Sequence, residues 1–168
     1  MIKKLFILPF MVMGYVSHAQ CDKVVTLMTD EVSGVSNWTS TDNIVFSEDN
    51  KSGMIHYLLL SADMKSLIWV NTSTEISCVD EKTKIDILFT DDTRISLYSD
   101  GKFNCKGKAT VYFGHVFGRR NEAKELSTKQ IKIIRINGST SHTETVNEQS
   151  ATLFTEAFNC LLEKQNQR

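Results

Sequence analysis

The 168-residue sequence is poor in the features that mark several large protein classes. It has one proline and eight glycines, which excludes collagen-like and proline-rich chains. Neither sign of charge dominates, because 19 Lys and Arg face 20 Asp and Glu, and this balance excludes a nucleic-acid binder that relies on bulk positive charge. With 41% hydrophobic residues the chain can bury one core, but it is too short for two ordinary domains.

Signatures of catalysis and cofactor binding are also missing. The sequence contains no Gly-x-Ser-x-Gly elbow, no phosphate-binding glycine loop, no Cys-x-x-Cys and no His-Glu-x-x-His. Gly114 and Gly118 fit strand bulges or points of close packing better than a nucleotide loop, and His115 fits a buried core position. We therefore predict no catalytic residue, no metal ligand and no cofactor.

The first 19 residues have the form of an export signal. Lys3 and Lys4 precede an apolar run from residue 5 to residue 16, and Ser17 and Ala19 supply small residues where signal peptidase reads them. The run is too short for a membrane-spanning helix, which needs about 20 apolar residues. We expect cleavage after Ala19, a mature chain of residues 20–168, and a periplasmic or secreted protein.

Cys21 raises the alternative of a lipid anchor, because a bacterial lipoprotein carries its lipid on the first cysteine after the leader. Such leaders place a small residue directly before the cysteine and an aliphatic residue at minus three, whereas this chain has Gln20 and His18 there. We therefore favour ordinary cleavage over lipidation at Cys21.

Four cysteines remain after cleavage, and an even number in an exported chain predicts disulfides. Four cysteines allow three pairings, and the sequence does not choose among them. We favour Cys78 with Cys105, which would tie neighbouring strand ends, and Cys21 with Cys160, which would pin the start of the chain to its C-terminal helix. The alternative is that one pair or both are free thiols, buried as small apolar groups.

Most of the mature chain has the patterns of β-strands. Apolar and polar residues alternate in segments that predict half-buried antiparallel strands, at 84–89, 94–97 and 110–117. Apolar runs that predict central strands covered on both faces lie at 54–60, 67–70 and 131–136. Asn137-Gly138 predicts a hairpin closed by a type I′ turn, since that turn favours this dipeptide.

The last part of the chain predicts a helix over residues 148–164. Its apolar residues recur at helical spacing, at Ala151, Phe154, Phe158, Leu161 and Leu162. Asn147 can cap the start of this helix, and its apolar stripe should face the sheet. We therefore predict a single α+β domain, in which a mainly antiparallel sheet, built as a curved sheet, a sandwich or a partial barrel, is covered by one C-terminal helix.

Three residues are candidate contacts with a partner: Arg119, Arg120 and Trp38. The arginines are adjacent and begin the polar stretch 119–130, which we expect to be a solvated loop ending in a short helical turn. They could contact an anionic partner, although solvation alone also explains them. Trp38 lies among small polar residues and is expected to be exposed, whereas Trp69 lies in an apolar run and is expected in the core.

The mature chain combines four segments: Cys78-Val79, the apolar strand 84–89 followed by Asp91-Asp92-Thr93, the strand 131–136 and Asn159-Cys160-Leu161. In this combination the chain resembles small exported bacterial domains of uncharacterised function. Those domains usually have Asp-Gly in the hairpin where this chain has Asp92-Thr93. The resemblance implies an envelope location and an α+β domain, and it transfers no active site.

These observations predict a non-enzymatic binding or interaction module of the periplasm or cell envelope, with an envelope protein or a glycan as its partner and no nucleic acid. The alternative is a small hydrolase acting on envelope or environmental polymers, which would need two carboxylates about 5–10 Å apart in one cleft. A third interpretation is an inhibitor or assembly factor for a secreted protein, which would need a large apolar surface patch.

Overall fold

A computed structural model of the protein describes residues 18–47, 53–62, 65–76, 78–114 and 117–167. Most of the expected export signal and His115 lie outside the described residues. A further turn that the sequence predicts, at Asn50-Lys51-Ser52-Gly53, also lies mostly outside them. In chain order the elements are α1 (His18–Val24), β1 (Val25–Thr29), β2 (Ser36–Ser40), β3 (Ile44–Phe46), β4 (Met54–Ser61), β5 (Ser66–Thr72), β6 (Lys84–Phe89), β7 (Arg94–Tyr98), β8 (Lys108–Phe113), α2 (Arg120–Thr128), β9 (Ile131–Asn137), β10 (Ser141–Thr145) and α3 (Glu148–Asn166).

The strands form two antiparallel sheets. The first sheet has the order β1-β2-β4-β5-β8, with β3 paired to β4, and the second sheet has the order β10-β9-β6-β7. The chain after β7 connects them, because the amide of Asp100 donates a 2.7 Å hydrogen bond to the carbonyl of Thr110 in β8. Together with α3, these open sheets confirm the predicted α+β fold.

The helix α3 covers the first sheet with the apolar stripe that the sequence predicts. Asn147 caps it, since its Oδ1 accepts a 2.9 Å hydrogen bond from the amide of Ser150. The ring centroid of Phe154 lies 5.2 Å from that of Trp69 in β5, and the ring of Phe158 lies 5.2 Å from that of Phe113 in β8. Buried residues of both sheets and the helices form one hydrophobic cluster.

The prediction that the apolar strands are covered on both faces is wrong for β4 and β9. Residues facing α3 along β4 are buried, but on the opposite face Ile55 is 43% exposed. In β9, Lys132 and Arg135 are exposed. A run of β-branched and aliphatic residues therefore reflects strand propensity here, because the helix packs on one face of the sheet only.

The predicted hairpin between β9 and β10 is present, but its turn is not type I′. Asn137 still pairs with Ser141, so the loop contains residues 138–140, and neither Asn137 nor Gly138 has the positive φ that a type I′ turn requires. Gly138 is needed for a close approach instead, since a Cβ there would lie 2.5 Å from the carbonyl oxygen of Cys78. Ser139 also bonds to the backbone of Cys78, donating from its amide (2.9 Å) and accepting at Oγ (3.0 Å).

Two disulfides join the cysteines in the favoured pairs. Cys21 bonds to Cys160 across a separation of 139 residues, and Cys78 bonds to Cys105 across 27 residues. No cysteine is free, so the free-thiol alternative is wrong.

None of the described helices has the length and apolar character needed to cross a bilayer. The two bridges are compatible with an exported protein. The expected cleavage point, between residues 19 and 20, lies inside α1.

The polar stretch that begins at Arg119 is not a loop, because most of it forms α2. Its buried residues are Ala123 and Leu126, which lie three positions apart and therefore on one face of the helix. At the C-terminal end Lys129 pairs with Glu125 (2.5 Å), and Lys129 is already extended. The helical turn predicted at 127–130 is therefore wrong in its position, since the helix ends at Thr128.

Candidate functional site

A cleft of about 430 Å³ lies between α2, the C-terminal half of α3 and the end of β8. Its apolar lining includes Phe113, Ala123 and Leu162, and its cationic lining is Arg120 and Lys124. We call it the α2–α3 cleft. A concave apolar surface with a few polar groups at its edge is typical of a binding site.

The two glycines after β8 shape one wall of the cleft. Gly114 and Gly118 form an isolated antiparallel bridge, in which the amide of Gly118 donates to the carbonyl of Gly114 at 2.8 Å. Gly114 permits close packing, as predicted, because a Cβ there would lie 2.9 Å from Nε2 of Gln165. That nitrogen donates to the carbonyls of Lys65 (3.0 Å) and Phe113 (3.1 Å), so the glycine lets α3 bond to the end of β8 and to the residue before β5.

The cationic edge of the cleft is formed by one face of α2. Arg120 and Lys124 are four residues apart, which places them on the same side of the helix, and both are exposed. Among the described residues, no carboxylate pairs with Lys124. Like charges at this spacing destabilise a helix by a few tenths of a kcal/mol, about 0.2–0.5. The helix therefore carries two neighbouring cations at a small cost in stability.

Arg119 has a different role from Arg120, although the two are adjacent. Its guanidinium group donates to both carboxylate oxygens of Asp100 and to the carbonyls of Tyr112 (3.1 Å) and Tyr98 (3.2 Å). The backbone of Arg119 is left-handed, with φ of 62°, and α2 begins directly after it. Arg119 thus fixes the start of α2 against the sheets and positions Arg120.

Trp38 is half-buried rather than exposed. It lies in β2 opposite Leu27 and Leu60, on the face of the first sheet that α3 covers. Nζ of Lys164 in α3 lies 3.7 Å from the centroid of its ring, a cation–π contact. Trp38 does not line the α2–α3 cleft. Trp69 is 1% exposed, which confirms its predicted place in the core.

One histidine lies between two carboxylates, a cluster that the sequence analysis missed. Nε2 of His142 is 2.7 Å from Oε1 of Glu144, and Nδ1 is 3.4 Å from Oε2 of Glu75. His142 and Glu144 alternate on one face of β10, which is the signal that could have indicated this pair. Glu75 comes from the turn after β5, and such a contact between distant segments has no signal in the sequence.

A second histidine belongs to the core. His56 is fully buried in β4, and burial lowers its pKa to about 3 because the charged ring would lose its hydration. It is therefore neutral at physiological pH. Within the described ranges, no three His, Cys, Asp or Glu side chains are arranged to hold a metal ion.

Comparison with known proteins assigns no family to the chain. No family model, no curated protein and no solved structure matches it.

Proposed function

We propose that the protein is a non-enzymatic binding module of the periplasm or cell envelope, and that a partner protein docks in the α2–α3 cleft. The observation that carries the proposal is the placement of two cations, Arg120 and Lys124, beside an apolar floor in a cleft of about 430 Å³. Apolar contact supplies affinity at such a site, and the few charges set orientation and specificity.

The chemistry of the cleft favours a segment that presents a carboxylate next to an apolar side chain. Charge-assisted hydrogen bonds from Arg120 and Lys124 would hold the carboxylate. The half-buried Leu162 would contact the apolar neighbour. The helix that carries the cations is fixed at its start by Arg119, so the site is formed before the partner arrives.

Export is supported by two independent features. The first 19 residues have the composition of a cleavable leader. The Cys21–Cys160 and Cys78–Cys105 bonds suit an oxidising compartment, since disulfides persist outside the cytosol. A small sheet protein with two bridges is suited to present a rigid surface.

Site-specific photocrosslinking in the native host tests this function. A photoreactive phenylalanine analogue at Ser127, which lines the cleft, should crosslink one envelope protein, whereas the same analogue at the exposed Lys102 should not. The purified partner should then bind the wild-type protein and lose about tenfold or more in affinity for Arg120→Glu/Lys124→Glu.

The matched control is Lys102→Glu/Lys106→Glu, which reverses two exposed charges outside the cleft. It should bind the partner as the wild type does. Equal losses in both double variants would show that net charge, not the cleft, determines binding. Equal crosslinking at Ser127 and Lys102 would also argue against the cleft.

The hydrolase remains the second candidate, and the observation that favours it is the pair of carboxylates on either side of His142. An imidazole between Glu75 and Glu144 has the groups that general acid–base catalysis requires. Purified protein would have to turn over a glycoside, ester or peptide substrate, and His142→Asn would have to abolish that turnover. Activity that survives this substitution would remove the cluster from consideration.

A further inference from the structure

The second sheet has an open face that differs in character from the cleft. Two neighbouring rows of outward-facing side chains cross β7, β6 and β9: Arg94, Leu88 and Ile133 in one row, and Ser96, Asp86 and Arg135 in the other. These six residues line a cavity of about 460 Å³. We call this surface the β6 face; it shares no lining residue with the α2–α3 cleft.

The β6 face has an excess of positive charge. Asp86 is satisfied within the face, since it accepts from Lys84 (2.7 Å), from Ser96 Oγ (2.6 Å) and from Asn137 Nδ2 (3.1 Å). The one carboxylate therefore neutralises Lys84. The charges of Arg94 and Arg135 remain uncompensated on this face.

Both arginines have donors available for a ligand. Nε of Arg135 donates to Oγ1 of Thr143 at 2.9 Å, which holds the side chain across the sheet. Among the described residues, no carboxylate pairs with either Arg94 or Arg135. Neighbouring strands are about 4.8 Å apart, so the two arginines lie on strands separated by about 10 Å. The half-buried Leu88 and Ile133 continue the row of Arg94 as an apolar strip, and Asp86 lies beside Arg135 in the other row.

We propose that the β6 face binds an acidic polysaccharide. Arg94 and Arg135 would each bind a carboxylate on the chain, in the paired geometry that guanidinium groups favour. Leu88 and Ile133 would contact the apolar face of a sugar ring. The side chains of Ser141, Thr143 and Thr145 on β10 are exposed, and their hydroxyl groups can bond to sugar hydroxyls.

One feature favours a polysaccharide over an acidic protein segment. Tyr98, next to Ser96 in the alternation of β7, is 51% exposed and provides an aromatic surface at the end of the face.

Calorimetric titration of the purified, disulfide-bonded protein with polygalacturonate tests the proposal. The wild type should bind this polymer, the affinity should fall as salt is added, and neutral dextran should not bind. Arg94→Gln/Arg135→Gln should lose about tenfold or more in affinity. Arg94→Lys/Arg135→Lys keeps the charge without the guanidinium fork, and its affinity should lie between those of the wild type and the Gln variant.

The matched control is Arg120→Gln/Lys124→Gln, which removes two cations from the α2–α3 cleft and should leave polygalacturonate binding unchanged. This control separates the polysaccharide site from the proposed protein-docking cleft, so either can fail alone. The proposal is overturned by a wild type that does not bind the polymer, or by equal affinity in the Arg94→Gln/Arg135→Gln variant with an unchanged melting temperature. Polyglutamate bound as tightly as polygalacturonate would overturn it in favour of an acidic protein.

Discussion

The indole nitrogen of Trp69 donates a hydrogen bond of 2.9 Å to Nδ1 of His56 in the core under α3. Because Nδ1 accepts this bond, the proton of the neutral ring is on Nε2, and Nδ1 also lies 3.3 Å from Nδ2 of Asn71, which can donate to it. The ring also packs against that of Phe46, with centroids 3.8 Å apart. The core is therefore built around an uncharged histidine, whose pKa burial lowers to about 3.

His56 should make the protein less stable in mild acid. In the unfolded chain His56 takes up a proton near its ordinary pKa of about 6.5, whereas in the folded protein it does so only near a pKa of about 3. Its contribution to stability is therefore complete above about pH 6.5 and is lost as pH falls towards 3. The free energy of unfolding should decrease by up to about 1.4 kcal/mol per pH unit in this window.

Urea unfolding at several pH values between about 7 and 4 measures this slope. His56→Gln keeps a polar acceptor near Trp69 and removes the titration, so its stability should be lower at neutral pH but flatter with pH. A wild-type profile no steeper than that of the variant would contradict the assignment.

Asp100→Asn should destabilise the protein by about 2–3 kcal/mol, because it leaves the half-buried guanidinium of Arg119 without its carboxylate partner. Asp92→Asn is the control. Asp92 pairs with Lys132, but its side chain is 78% exposed, so the loss there should stay below about 1 kcal/mol. Chemical denaturation of both variants at neutral pH compares them directly, and losses of similar size would show that the Arg119 pair has no structural role.

Removal of the Cys21–Cys160 bond should cost more stability than removal of the Cys78–Cys105 bond. The separations are 139 and 27 residues, for which the chain-entropy model gives about 5 and about 3.5 kcal/mol. Paired Cys→Ala variants isolate each bond, and denaturant midpoints give the order. The reverse order would mean that local packing, and not closure of the long loop, determines the effect.

Gly138→Ala should destabilise the protein by about 1–3 kcal/mol, because its Cβ would lie 2.5 Å from the carbonyl oxygen of Cys78 and the hairpin loop would have to move. Gly101→Ala is the matched control, since its nearest contact would be 3.4 Å away. Thermal unfolding of the two variants should show a clear loss for Gly138 and little change for Gly101. Equal behaviour would contradict the close approach at Cys78.

The sequence predicts the parts of this fold that depend on local periodicity. The alternation at 84–89 and the helical spacing of Phe154 and Phe158 are properties of neighbouring residues, and both elements form as expected. The parts of the fold that the sequence does not predict depend on contacts between distant segments. The conformation at Gly138 depends on Cys78, which is 60 positions away in the chain, and the position of Arg119 depends on Asp100.

The candidate site shows the same division. Adjacent arginines in a polar stretch direct attention to Arg120, which lines the cleft, but not to the different role of Arg119. The sequence did not predict α2 in this polar stretch, because only two residues of the helix, Ala123 and Leu126, are apolar and buried. The rows across the β6 face depend on strand register, which fixes Arg94 and Arg135 on the same side of the sheet.

A native, non-reducing mass spectrum of the protein from the envelope of its own host tests whether this chain is an exported, disulfide-braced binding module. We expect a chain that begins at Gln20, is lighter by the hydrogens that two disulfides remove, and carries the added mass of a bound partner. A full-length, reduced and unaccompanied chain, recovered from the cytosol instead, would contradict it.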